Sequence, residues 1–181
     1  IVILTVSLFF ALFTGCGGNT SNDGETNGQS QIPQEQPSAT PIDNSTLSPD
    51  EYYNFDPATN TILGFADGVV GITDIEIPVE INGTAVLNIG ANAFYFKGLT
   101  SVVLPDGLMS IGVTAFKENN LTEIILPDSL TEIALGAFWD NRLTEVTIPD
   151  GITTIDVRAF SDNEISKLNL PDSITLIKRS A

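Results

Sequence analysis

Histidine is absent from these 181 residues, and cysteine, methionine and tryptophan occur once each. Without histidine there is no Ser-His-Asp or Cys-His catalysis, and most zinc sites go with it. A lone cysteine forms no internal disulfide. Basic residues are scarce, seven against 23 acids, for a formal net charge of −16. The first base is Lys97. Residues 1–96 hold 11 acids and no base, and residues 97–181 hold 12 acids and all seven bases. Binding nucleic acid needs a basic footprint, so no nucleic-acid partner is expected. Phosphate-cradling loops of the P-loop or G-x-G-x-x-G kind are missing, as is a D-x-D-x-D-G calcium loop. No cofactor and no metal are expected. Acids alone can cleave glycosides across a cleft, but a regular repeat face offers none, and an enzyme is not expected.

What the chain does have is a beat. Leu99-Thr100-Ser101-Val102-Val103-Leu104-Pro105-Asp106 returns as Leu121 to Asp128, then Leu143 to Asp150, then Ile165 to Asp172, every 22 residues. Ala93-Phe94, Ala115-Phe116, Ala137-Phe138 and Ala159-Phe160 keep the same period. A unit this small cannot bury its own apolar face and must stack on its copies, which makes a solenoid. In 121–142, Leu121, Ile124 and Leu126 occupy the apolar positions of an L-x-x-L-x-L strand. Pro127-Asp128-Ser129 ends it. Leu130, Ile133, Ala137 and Phe138 form the other inward wall. Stacking makes an aromatic spine of Phe94, Phe116, Phe138 and Phe160, and an asparagine column of Asn119, Asn141 and Asn163 that serves turn backbone. The Pro-Asp aspartates are read as acceptors for N–H groups of their own turns. An earlier unit, Ile72 to Pro78, precedes Leu99 by 27 residues. Its extra five residues lie around Asn82-Gly83, a strong turn signal.

The phrase L-T-x-I-x-I-P-D-x-I-x-x-I-x-x-x-A-F resembles the BspA-type leucine-rich repeat of bacterial surface proteins. The opening Ile77-Pro78, Ile81-Asn82-Gly83-Thr84-Ala85-Val86, Ile89-Gly90 and Ala93-Phe94 is typical of how such arrays begin. The resemblance covers about residues 60–181. Asparagine stands where many members carry cysteine. The resemblance implies a β-rich, right-handed solenoid with a parallel sheet on one face, here about five rungs. It also implies surface display, adhesion to host proteins in some members, and no family-wide catalytic residues.

Residues 1–13 are almost wholly apolar, too short for a spanning helix of about 20 residues but apt for a secretory signal. Leu12-Phe13-Thr14-Gly15-Cys16 resembles the bacterial lipobox, which implies a lipid on Cys16. Residues 1–15 are thus read as a lipoprotein signal peptide with its start missing, and 16–50 as the lipidated cysteine and a disordered linker. The composition of 17–50 offers almost nothing to bury, and as a flexible tether it spans roughly 30–35 Å. Residues 51–71 regain aromatics and are read as an N-terminal cap. Residues 72–181 are the repeats. They stop where the next spine phenylalanine is due, so the array is expected to continue beyond this chain, and its open end to favour self-association.

Between the inward leucines, three columns face out. Thr73, Thr100, Thr122, Thr144 and Ser166 are hydroxyls that suit β structure and need no ligand. Asp74, Ser101, Glu123, Glu145 and Lys167 form the second column, and Glu76, Val103, Ile125, Thr147 and Asn169 the third. Five strands about 4.8 Å apart give a strip about 19 Å long. The two variable columns are the candidate partner-binding face. Its apolar centre and acidic flanks suit a basic or amphipathic protein. Trp139 and Tyr95 are alternative aromatic platforms for sugar. The resulting expectation is a lipid-anchored, extracytoplasmic surface protein that binds an extracellular protein or matrix component. Two alternatives stand beside it, an envelope structural protein without a dedicated ligand and a carbohydrate-binding lipoprotein.

Overall fold

The computed structural model of the chain describes residues 48–181. The signal-like segment, Cys16 and nearly all of the linker lie outside them. Among the described residues no helix is long and apolar enough to cross a membrane.

The described part opens with a single 3-10 turn, Pro49–Glu51, and a hairpin. Strand β1 (Tyr53–Asp56) pairs antiparallel with β2 (Thr61–Phe65). From there the chain coils in rungs. On the face of the L-x-x-L-x-L segments lie β3 (Asp74–Glu76), β7 (Ser101–Val103), β10 (Glu145–Thr147) and β12 (Lys167–Asn169). They pair in parallel as β3–β7 and β10–β12. Every partner is 22 or 27 residues away, so the sequence period is the register itself.

The sheet is not confined to one face. A second set of short strands runs along the other wall: β6 (Asn88–Ile89), β8 (Ser110–Ile111), β9 (Glu132–Ile133), β11 (Thr154–Ile155) and β13 (Leu176–Ile177). β2, β6, β8 and β9 form one parallel ladder, and β11 pairs with β13. Its isoleucines were legible as an inward wall. Their strand character was not, because two residues are too few to show alternation. The five-residue insertion is a small hairpin, β4 (Glu80–Ile81) with β5 (Thr84–Ala85). Asn82 and Gly83 turn it at φ of 50° and 76°, the left-handed pair that tight hairpins need.

A third line of rung-to-rung bonds runs through the Ala-Phe segments. Phe94 N–H donates to Ala115 O, Phe116 N–H to Ala137 O and Phe138 N–H to Ala159 O, at 2.8–2.9 Å. Flanking residues Asn92, Thr114, Gly136 and Arg158 all lie at φ of 51–63°, and Phe96, Glu118, Asp140 and Asp162 at 51–58°. Each such non-glycine residue costs about 1–2 kcal/mol. The turn repeats because it aims alternate N–H groups at the next rung, where they find acceptors.

The core is continuous through the stack. Phe94, Phe116 and Phe138 are fully buried and Phe160 nearly so. Their rings lie 5.3–5.4 Å apart and within 12° of parallel, an offset stack worth about 0.5–1.5 kcal/mol per pair beyond area burial. Tyr53 and Phe65 of the first hairpin meet Phe94 edge-on at 6.1 and 5.1 Å. The Tyr53 hydroxyl donates to Glu76 O at 2.9 Å. Burial, then the nearby Glu76 charge, push that phenol well above its ordinary value.

The asparagines of this column, buried at 119 and 141 and half-buried at 163, join rungs in pairs. Asn141 Oδ1 accepts from Leu121 N, while its Nδ2 donates to Phe116 O and Phe138 O. Asn119 accepts from Leu99 N and donates to Phe94 O and Phe116 O. Asn163 repeats the pattern with Leu143, Phe138 and Phe160. An asparagine carries both acceptor and donor on one planar group, which is what this position uses.

Candidate interaction face

The two variable columns lie on the outer side of the L-x-x-L-x-L face. Asp74 and Glu76 are exposed on β3, either side of buried Ile75. Ser101 is half-buried and Val103 is 55% exposed on β7. Glu145 and Thr147 are exposed on β10, Lys167 is exposed on β12, and Asn169 beside it is half-buried. Ladder register places Asp74 beside Ser101, Glu76 beside Val103, Glu145 beside Lys167 and Thr147 beside Asn169.

The middle rung departs from this order. Glu123–Leu126 joins no ladder, and no backbone group of these four residues makes a hydrogen bond to a neighbouring rung. Ile124 and Leu126 still point inward and are buried, while Ile125 is 84% exposed. The break falls where Glu123 and Glu145 are neighbours of like charge, an arrangement that disfavours close pairing. Glu145 turns the other way. It accepts from Lys167 Nζ and, at 3.3 Å, from Asn169 Nδ2. The lysine holds its carboxyl below the ordinary value. Glu123 is left as the unpaired acid beside Val103 and Ile125.

Other columns are occupied by the scaffold. Thr100 Oγ1 donates to Asp74 Oδ1 at 2.9 Å and Ser166 Oγ to Thr144 O at 3.3 Å. The Pro-Asp aspartates do not serve their turns. Asp106, Asp128, Asp150 and Asp172 are exposed, and each turn is closed by the proline carbonyl, which accepts from Leu108, Leu130, Ile152 or Ile174 N at 3.0–3.3 Å. A proline carbonyl three residues upstream already meets the donor assigned to the carboxylate. Among the described residues, no group of three or more potential metal ligands is assembled.

Trp139 is half-buried among charged neighbours. Lys117 from the rung before stands 3.9 Å from its ring centre, and Arg158 from the rung after stands 4.6 Å away. Its Nε1–H donates to Asp162 Oδ2 at 2.6 Å. Tyr95 donates its hydroxyl to Glu118, whose carboxyl Lys117 holds below the ordinary value. A sugar stacking on Trp139 would have to displace a cation from the ring. Lys117 keeps the 22-residue step between Tyr95 and Trp139, whereas Arg158 sits 19 residues from Trp139, out of step with the period, so its place on the ring was not legible in the sequence.

The profile of the BspA-type leucine-rich repeat region matches residues 67–181 in six copies. Among solved structures, a leucine-rich repeat protein from Bacteroides capillosus is 28% identical, with a TM-score of 0.53, covering 61% of this chain and 86% of that one. A leucine-rich cell surface protein from Faecalibacterium prausnitzii is 26% identical, with a TM-score of 0.49, covering 70% and 42%. The leucine-rich repeat protein of T. pallidum is 21% identical, with a TM-score of 0.46, covering 73% and 85%. No curated protein matches the chain.

Proposed function

Because the chain belongs to the BspA-type leucine-rich repeat family, we propose that it is an extracytoplasmic, lipid-anchored array whose outer ladder face binds another protein. One observation carries the reading. Val103 and Ile125, 55% and 84% exposed, stand on successive rungs at the centre of that face, Ile125 within the Glu123–Leu126 segment that joins no ladder. Two exposed aliphatic side chains on successive rungs, beside open backbone groups, suit the apolar centre of a partner. Glu123 on one side and the Asp74–Glu76 edge on the other give it an acidic rim, so the partner presents an apolar centre with basic flanks. The winding is read as right-handed, as parallel crossovers almost always are.

The anchor belongs to the same proposal. An apolar stretch, two small residues and the only cysteine at position 16 suit lipidation, and a domain this acidic would not hold to an anionic membrane by charge. Cys16→Ala should abolish incorporation of radiolabelled palmitate, and unchanged labelling would contradict the anchor.

The binding face is tested with the full chain on an extracellular-matrix extract. Val103→Asp with Ile125→Asp should remove captured protein. Leu135→Asp, a 40% exposed leucine on another wall, should not. Equal capture by all three would contradict the assignment of the face.

A further inference from the structure

The first strand of the ladder face has an open edge. Ser101 N and Thr100 N donate to Thr73 O, and Ile77 N donates to Val103 O. Odd-numbered residues of this strand therefore face β7. By the two-residue alternation of a strand, the main-chain groups of Asp74 and Glu76 face away from it. Glu76 O is capped by the Tyr53 hydroxyl. Among the described residues, Asp74 N–H, Asp74 C=O and Glu76 N–H have no partner. The first hairpin does not cover this edge, because β2 joins the other ladder, beside β6.

Behind the edge lies a groove of about 420 Å³, lined by Tyr52, Phe65, Ile72, Ile75 and Pro78 and rimmed by Asp74 and Glu76. Apolar side chains thus meet an unpaired strand edge under two carboxylates. No basic residue stands before Lys97 to neutralise them.

We propose that the outer edge of β3 is a docking site for an extended peptide with lysine or arginine at alternate positions and aliphatic residues between them. The mode is strand addition, in which main-chain bonds hold the peptide and alternate side chains select it. Basic side chains would lie on the outer face against Asp74 and Glu76, and the aliphatic ones would enter the groove over Ile72 and Ile75. Charge decides against a second copy of this strand. Two such edges would set Asp74 and Glu76 against their like, which is how natural edges repel their own kind. The site adjoins the face of the proposed function but stands without it, since neither Val103 nor Ile125 takes part.

The probe is a fluorescent heptapeptide, Lys-Val-Lys-Ile-Lys-Val-Lys, titrated into the full chain and followed by anisotropy. Binding is expected, together with slower amide exchange at Asp74 and Glu76. In the parallel sense of the rungs, the central isoleucine N–H is the donor that meets Asp74 O; a peptide with proline in its place keeps the charge, loses that donor, and should bind at least about tenfold more weakly. Glu for every Lys should abolish binding. Asp74→Lys with Glu76→Lys should weaken it as much as the proline does, with Glu76→Gln as the milder variant if that pair melts early. Ile125→Asp should leave it unchanged, which separates this site from the outer face. Equal affinity for the proline peptide would reduce the effect to charge attraction and overturn the proposal. So would no binding at all, whether the edge is inert or the chain's own N-terminal segment already fills it.

Discussion

Asn141 is the residue whose loss the rungs should feel most sharply for its size. It is 6% exposed and holds three backbone groups of two rungs. Asn141→Ala leaves those groups unpaired and should cost about 2–4 kcal/mol in urea melts. Asn141→Cys, which keeps the volume with weaker bonding, should fall between. Phe138→Ala should cost about 3–5 kcal/mol, because the ring is fully buried between Phe116 and Phe160. Thr144→Ala, exposed on the outer face, should cost less than about 1 kcal/mol. Tyr53 sets a limit at alkaline pH. Its phenol is raised above the ordinary 10.0 by burial and by Glu76. A group raised on folding gives stability that is complete below its unfolded value and is lost as pH rises beyond it. Thermal melts should therefore show added destabilisation above pH 10 in the wild type. Tyr53→Phe should lack that component while being about 1 kcal/mol less stable at neutral pH, and identical alkaline slopes would contradict it.

At the scale of elements, the unpaired rung makes its own prediction. Amides that join no ladder exchange through small local openings. Glu123, Ile125 and Leu126 should exchange far faster than Val103 and Val146, whose amides face a partner strand, as read by residue-resolved hydrogen exchange. Equal protection across the three rungs would mean that the ladder is continuous. The 22-residue period placed the outer strands, the phenylalanine spine and the asparagine column, because each repeats one residue type for one physical reason. It did not place the left-handed turns. Asn92, Asp140 and Gly136 are types that accept φ > 0, but Phe96, Thr114 and Arg158 carry no such signal, and the stack imposes the conformation on them. The aspartate role was misassigned for a related reason. Sequence shows that a turn is there, not which of two nearby oxygens closes it. The break at Glu123–Leu126 was equally hidden, since its residues fit the strand pattern as well as those of any other rung.

On the scale of the whole molecule, the array is a surface whose columns divide by use. Hydroxyls, asparagines and phenylalanines repeat and bond the stack. The Asp74-to-Lys167 and Glu76-to-Asn169 columns vary, and their centre is the exposed Val103–Ile125 pair. This pair is where the proposed protein partner would sit. Photo-crosslinking tests it most directly, with p-benzoylphenylalanine placed at position 125 of the full chain, at position 135 as the control, and irradiated in an extracellular-matrix extract. One discrete crosslinked product is expected from position 125, none from 135, and loss of the product when Val103→Asp is added. The same products from both positions, or none from 125 while the variant keeps its wild-type melt, would contradict it.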